Sequence, residues 1–91
     1  MSALYMSREF AKRLKAARVA GGFTQDEIAK KLGYTTAQFI SNWERGVAFP
    51  PLDALAKLIR IYRLDANTVV EMCLEAASER LHKAMKIKGA R

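Results

Sequence analysis

Gln38 and Asn42 are the pair in this sequence best suited to reading another molecule. A carboxamide carries a donor and an acceptor side by side, so glutamine or asparagine can bond an adenine edge twice in the major groove of duplex DNA. A spacing of four places both amides on one face of a helix. Ala37, Ser41 and Arg45 fall on the same exposed side, and the methyl group of Ala37 or Thr36 is of the right kind to touch a thymine methyl. Taken alone, the same residues would also serve as an ordinary solvated face. Ile40 and Trp43 recur on the opposite side with Phe39 beside them, which makes Trp43 a core residue rather than a base-stacking platform.

These side chains need a short helix presented by a rigid scaffold, and the chain reads as helical throughout. Its five glycines, at 21, 22, 33, 46 and 89, and its adjacent prolines, Pro50 and Pro51, fall as punctuation between helical patterns. A first helix is expected over 7–20, with Ser7 as N-cap and Phe10, Leu14 and Ala17 facing inward. Arg8, Lys12 and Lys15 form a basic stripe on its other side, which an ordinary solvated face explains as well. A second helix is expected over 25–32. It opens on Thr24 and Glu27, the two ends of a capping box, and stops at Gly33. The third helix is expected over 37–45, capped by Thr35 or Thr36 and closed by Gly46. An extended loop through Pro50–Pro51 leads to a fourth over 52–63, with Leu55, Leu58, Ile59 and Tyr62 inward. Asp65 caps a fifth over 66–86.

Composition narrows the function classes. At 91 residues there is material for one modest core. One cysteine and one histidine allow neither an internal disulfide nor a four-ligand metal site. Nothing pairs a nucleophile with a base, so no enzymatic role and no cofactor are expected. No apolar run approaches the ~18 residues of a membrane span, and residues 1–7 lack the basic start and apolar stretch of a signal peptide, which gives the expectation of a cytoplasmic protein. The net charge is +7, from 16 basic and 9 acidic residues. Residues 1–33 carry +4 of it, 34–64 carry +2 and 65–91 carry +1. A basic excess concentrated where the motifs lie suits a polyanionic partner.

The stretches "LKAARVAGGFTQDEIAKKLG", "FISNWERG" and "PPLDALAKLIRIYRLD", in this order over Leu14–Asp65, resemble the lambda-repressor-like helix-turn-helix domain, also called the Cro/CI or xenobiotic-response-element family. The resemblance covers over half the chain and implies an all-α, five-helix fold that binds double-stranded DNA. It implies a phosphate contact by Gln25 and a backbone contact by Arg45; Thr24, Thr36 and Lys15 are further candidates for the phosphates. It implies base contacts from Ala37, Gln38, Ser41 and Asn42, and an internal salt bridge from Arg18 to Glu44. One departure affects the turn: Gly33 to Ile40 is one residue longer than in many members. Thr36 is therefore cap, phosphate ligand or base contact, and a capping box from Thr35 to Gln38 would compete with base reading.

The expected organisation is a DNA-binding domain over 7–65 followed by a C-terminal helix and basic tail over 66–91. Along that last helix Val70, Leu74, Ala77, Leu81 and Ala84 recur at spacings of 4, 3, 4 and 3, with Met85 alongside. Val69, Met72 and Cys73 widen the apolar face near its start, where it can cover the chain's own core. The later turns either fold back on the domain or pair with a second copy, with Leu74, Ala77, Leu81 and Met85 as the dimer interface. A single reading helix covers few base pairs, so two copies on a pseudo-palindrome are expected. The sequence thus predicts a homodimeric repressor. The alternative is an antitoxin whose last helix clasps a toxin protein.

Overall fold

The computed structural model describes residues 8–87, apart from the side chains at positions 76, 79, 80, 83, 86 and 87. Five helices follow one another: α1 (Arg8–Ala20), α2 (Gln25–Leu32), α3 (Gln38–Glu44), α4 (Leu52–Ile61) and α5 (Ala66–Ile87), with no strand among the described residues. This is the all-α, five-helix architecture expected. Ser7, expected to cap α1, and the tail from residue 88 lie outside the described residues.

The helices assemble because each contributes an apolar stripe to one cluster. Phe10 and Leu14 of α1, Ile28 and Leu32 of α2, Ile40 and Trp43 of α3, Leu55 and Leu58 of α4 and Val69 of α5 are all buried together. Phe49, just before the buried Pro50, stacks on Phe10 with ring centroids 5.5 Å apart. The proline pair therefore brings the loop back under α1. Val69 enters the cluster from α5, and Met72 and Cys73 pack against it, so the first two turns of α5 share the core of α1–α4.

The first four helices end in the same way. The amide one residue beyond a left-handed position returns to a carbonyl five residues back: Phe23 to Arg18, Tyr34 to Ala29, Val47 to Asn42 and Leu64 to Ile59. In three of them the left-handed residue is glycine, at 22, 33 and 46, with φ of 78°, 87° and 77°. Glycine meets no Cβ penalty there, and the arrangement satisfies carbonyls that the helix leaves open. In the fourth it is Arg63, with φ of 56°. For this reason α4 stops at Ile61, two residues before the end expected from its apolar spacing. The left-handed backbone at Arg63 turns Leu64 inward, where it packs against the core.

Further along, Asp65 caps α5 as the sequence suggested. Its Oδ2 accepts from the Thr68 amide at 3.0 Å and from the Thr68 hydroxyl at 2.8 Å. Those bonds, the hydroxyl first, hold its carboxyl below the ordinary carboxylate value. No helix of the described residues is long and apolar enough to cross a membrane.

Candidate nucleic-acid interface

α3 is seven residues long, too short to hold itself in water. Its placement comes from its neighbours. Ile40 and Trp43 are 1% and 2% exposed, and α3 packs on both α1 and α2. The Tyr34 ring meets the edge of Trp43 at 6.0 Å and tilts onto Phe39 at 5.1 Å, so the residue following the α2 stop closes the turn over α3.

Arg18 and Glu44 add a polar clamp. Arg18 Nε donates to Glu44 Oε2 at 2.7 Å and its Nη2 to Oε1 at 3.0 Å, a two-pronged pair from α1 to the last residue of α3. The Arg18 Nη1 donates to the Phe23 carbonyl at 2.9 Å, which ties in the turn before α2. The two side chains are 11% and 4% exposed. The hydrogen bond to Glu44 raises the Arg18 pKa further above neutrality against the opposing effect of burial. Burial, and then the Glu44 charge, push the nearby Tyr62 hydroxyl well above its ordinary value, so it stays protonated. A pair this desolvated contributes little net stability against an apolar substitute, but it fixes geometry: the planar fork of the guanidinium meets the carboxylate two-pronged, and its remaining nitrogen is held on Phe23.

Gln25 joins the same carboxylate. Its Nε2 donates to Glu44 Oε1 at 3.0 Å, so the first residue of α2 and the last of α3 are linked directly. The sequence carried no signal for this bond. It leaves the second amide N–H of Gln25 for a phosphate and holds the half-buried side chain in place. Beside it, Thr24 and Glu27 form both halves of the capping box, at 3.0 Å and 2.8 Å, so the Thr24 hydroxyl already serves α2.

The opposite side of α3 carries the candidate reading residues. Gln38 and Arg45 are exposed, while Ser41 and Asn42 are half-exposed. Gln38 Nε2 donates to Asn42 Oδ1 at 3.1 Å, and Arg45 Nη2 donates to the same oxygen at 2.7 Å. The three side chains form one hydrogen-bonded row.

The start of α3 differs from expectation. The helix begins at Gln38 and ends at Glu44, with Ala37 and Arg45 as the flanking residues rather than helical ones. No side chain caps it. Thr36 Oγ1 accepts from the Gln38 amide at 3.2 Å, two residues on, and the Gln38 side chain turns to Asn42, so the box from Thr35 to Gln38 does not form. Ala37 is half-buried, like Ser41 and Asn42, and packs against the core. Phe39, expected beside the inner residues, is 54% exposed. Its spacing of four from Trp43 puts it near the inner face, so the helical period carried no signal for its exposure.

Lys15 is exposed on α1 together with Arg8 and Lys12. Along α5, Leu74, Leu81 and Met85 are 63%, 61% and 46% exposed, and Ala77 is exposed between them. Their stripe runs out of an apolar groove of about 290 Å³ between α4 and α5, floored by Leu55, Ile59, Val69 and Cys73. Burial raises the Cys73 thiol pKa, which favours the protonated form of a packing residue.

Comparison with known proteins agrees with this geometry. A helix-turn-helix domain model matches residues 9–72. The HTH-type transcriptional regulator ImmR of Bacillus subtilis (strain 168) is 41% identical over 56 residues, which are 62% of this chain and 43% of that relative. The chain thus matches less than half the length of this curated relative. No solved structure matches. The match spans α1, both helices of the motif, α4 and the opening of α5, and on that basis the chain belongs to the helix-turn-helix domain family, in the lambda-repressor-like form that its sequence resembles.

Proposed function

We propose that this chain is a sequence-specific DNA-binding transcriptional regulator that lays α3 in the major groove. The observation that carries the proposal is the two-sidedness of α3. Its inner side is locked by Ile40, Trp43 and the Arg18–Glu44 pair, and its outer side offers Gln38, Ser41 and Asn42 on a rigid seat. A groove about 12 Å wide admits one helix, and amides bond base edges. Gln25, anchored on Glu44, and Arg45 supply phosphate contacts, with Thr24, Thr36 and Lys15 as further backbone neighbours. The net charge of +7 supplies attraction independent of sequence.

The regulator acts as a homodimer on a pseudo-palindromic operator and represses by occluding a promoter. The exposed stripe of Leu74, Ala77, Leu81 and Met85 supports the pairing, because an apolar face of that length is covered in a soluble protein. The name of the Bacillus subtilis relative supports the regulatory role.

Selection of bound sequences from a random DNA pool, with salt varied, tests the whole reading and should return a two-fold symmetric motif. Gln38→Ala or Asn42→Ala should each cost about 1–3 kcal/mol on the preferred site and relax preference at one position, whereas Gln25→Ala should weaken all sequences alike. Attachment that is salt-sensitive but blind to sequence would overturn it. For the dimer, the solution mass of a chain ending at Ala76 should fall to that of a monomer; an unchanged mass would place the interface elsewhere.

A further inference from the structure

The row Gln38–Asn42–Arg45 restricts what Asn42 can read. Arginine has only donors, so the atom of Asn42 that faces the Arg45 guanidinium at 2.7 Å must be its carbonyl oxygen. The same oxygen also accepts from Gln38 Nε2 at 3.1 Å. Both lone pairs of Oδ1 are thereby engaged, and the Nδ2 amino group is left as the only group of Asn42 with bonds to offer. Gln38 is not restricted in this way. It spends one N–H on Asn42 and retains its Oε1 and a second N–H, the acceptor and donor that an adenine edge needs.

We infer that Arg45 is a positioning residue that locks the Asn42 amide with its donors outward, so that Asn42 selects guanine and rejects adenine at its base while Gln38 keeps the adenine-type pairing. The inference rests on the proposed reading role of α3. Guanine presents two acceptors in the major groove, O6 and N7, and an amino group meets both. Adenine presents N7 beside an N6 amino group, and a donor-only Asn42 leaves that amino group facing another amino group, with no acceptor. Thymine, with its single O4 acceptor, falls between the two. The lock is a charge-assisted bond, and such a bond strengthens when the helix enters the groove and water leaves. Turning the amide round to read adenine would break both bonds and place the Asn42 amino group against a cation.

The test is a set of base-preference profiles measured by competition on the full chain, since ratios within one protein are unaffected by any uniform loss of affinity. Asn42→Ala identifies the operator position that belongs to Asn42, as the one whose preference it flattens. At that position the unaltered protein should favour guanine over adenine by about tenfold, the value of one good pairing. Arg45→Met removes the donors from an exposed site outside the core and frees the Asn42 amide to rotate. The guanine-to-adenine ratio should then drop to about threefold or less at that position only, with the remaining positions unchanged. A preference for adenine at the marked position would overturn the inference, as would an Asn42→Ala profile flattened nowhere. So would an Arg45→Met protein that binds every sequence more weakly at an unchanged ratio, the signature of a phosphate contact alone. In these three cases the motif survives, and with it the reading role of α3. A pool with no enriched motif overturns both.

Discussion

α2 and α3 are nearly equal in length, at eight and seven residues, yet they are built from opposite kinds of information. α2 is written locally. Thr24 and Glu27 cap its start reciprocally, Asp26 and Glu27 favour the positive end of its dipole, and Gly33 ends it in the left-handed region. α3 has no side-chain cap and no acidic residue in its first turn. It exists because Trp43 and Ile40 are buried and because Arg18 grips Glu44. The helix proposed to enter DNA is therefore the one whose own sequence does least to form it. Residues that would cap or solubilise a free helix are replaced by residues that suit base edges, and the scaffold supplies the order.

If that contrast is right, the largest effect should come from Trp43→Ala. Removing a 2%-exposed indole from under α3 should cost about 3–5 kcal/mol, a large part of the stability of a domain this size. Urea denaturation measures the loss, and amide exchange should show α3 opening before α2. A loss below about 1 kcal/mol would mean that α3 is held by something other than its inner face.

Next comes the polar clamp. Glu44→Ala strands the nearly buried Arg18 cation and releases Gln25, and should cost about 3 kcal/mol. The double replacement of Arg18 by Met and Glu44 by Leu should recover much of that stability, because no charge is then left without its partner. DNA affinity should not recover with it, since Gln25 has still lost its anchor. Recovery of both together would show that the clamp contributes stability alone and does not position the phosphate contact.

The same contrast explains which elements were legible in the sequence. Elements with local signals were legible: the α2 box, the Asp65 cap of α5, and the three helix ends where glycine takes the left-handed position. The end of α4 was not, because Arg63 takes that conformation without being glycine, and the cause is Leu64 turning into the core. The start of α3 was not legible either. Threonines at 35 and 36 look like caps, yet with tertiary packing setting the register Thr36 bonds the Gln38 amide across two residues and the N-cap position falls on Ala37. At the candidate site, residue types and spacing pointed to Gln38 and Asn42. The bonds that orient them, from Arg45 and between the two amides, depend on rotamers that spacing does not encode.

The smallest effect separates the two threonines. Thr24→Ala removes a true N-cap, whose hydroxyl takes the Glu27 amide at 3.0 Å, and should cost about 1 kcal/mol. Thr36→Ala removes an exposed bond of 3.2 Å to the first amide of α3 from outside the N-cap position, and should cost no more than about 0.5 kcal/mol. Matched urea titrations at constant m-value resolve the difference. Equal losses would mean that Thr36 organises α3 as Thr24 organises α2, and that the third helix carries a local start signal after all. Unequal losses in the expected order leave α3 dependent on Trp43 and Arg18, the tertiary contacts that hold its reading side in place.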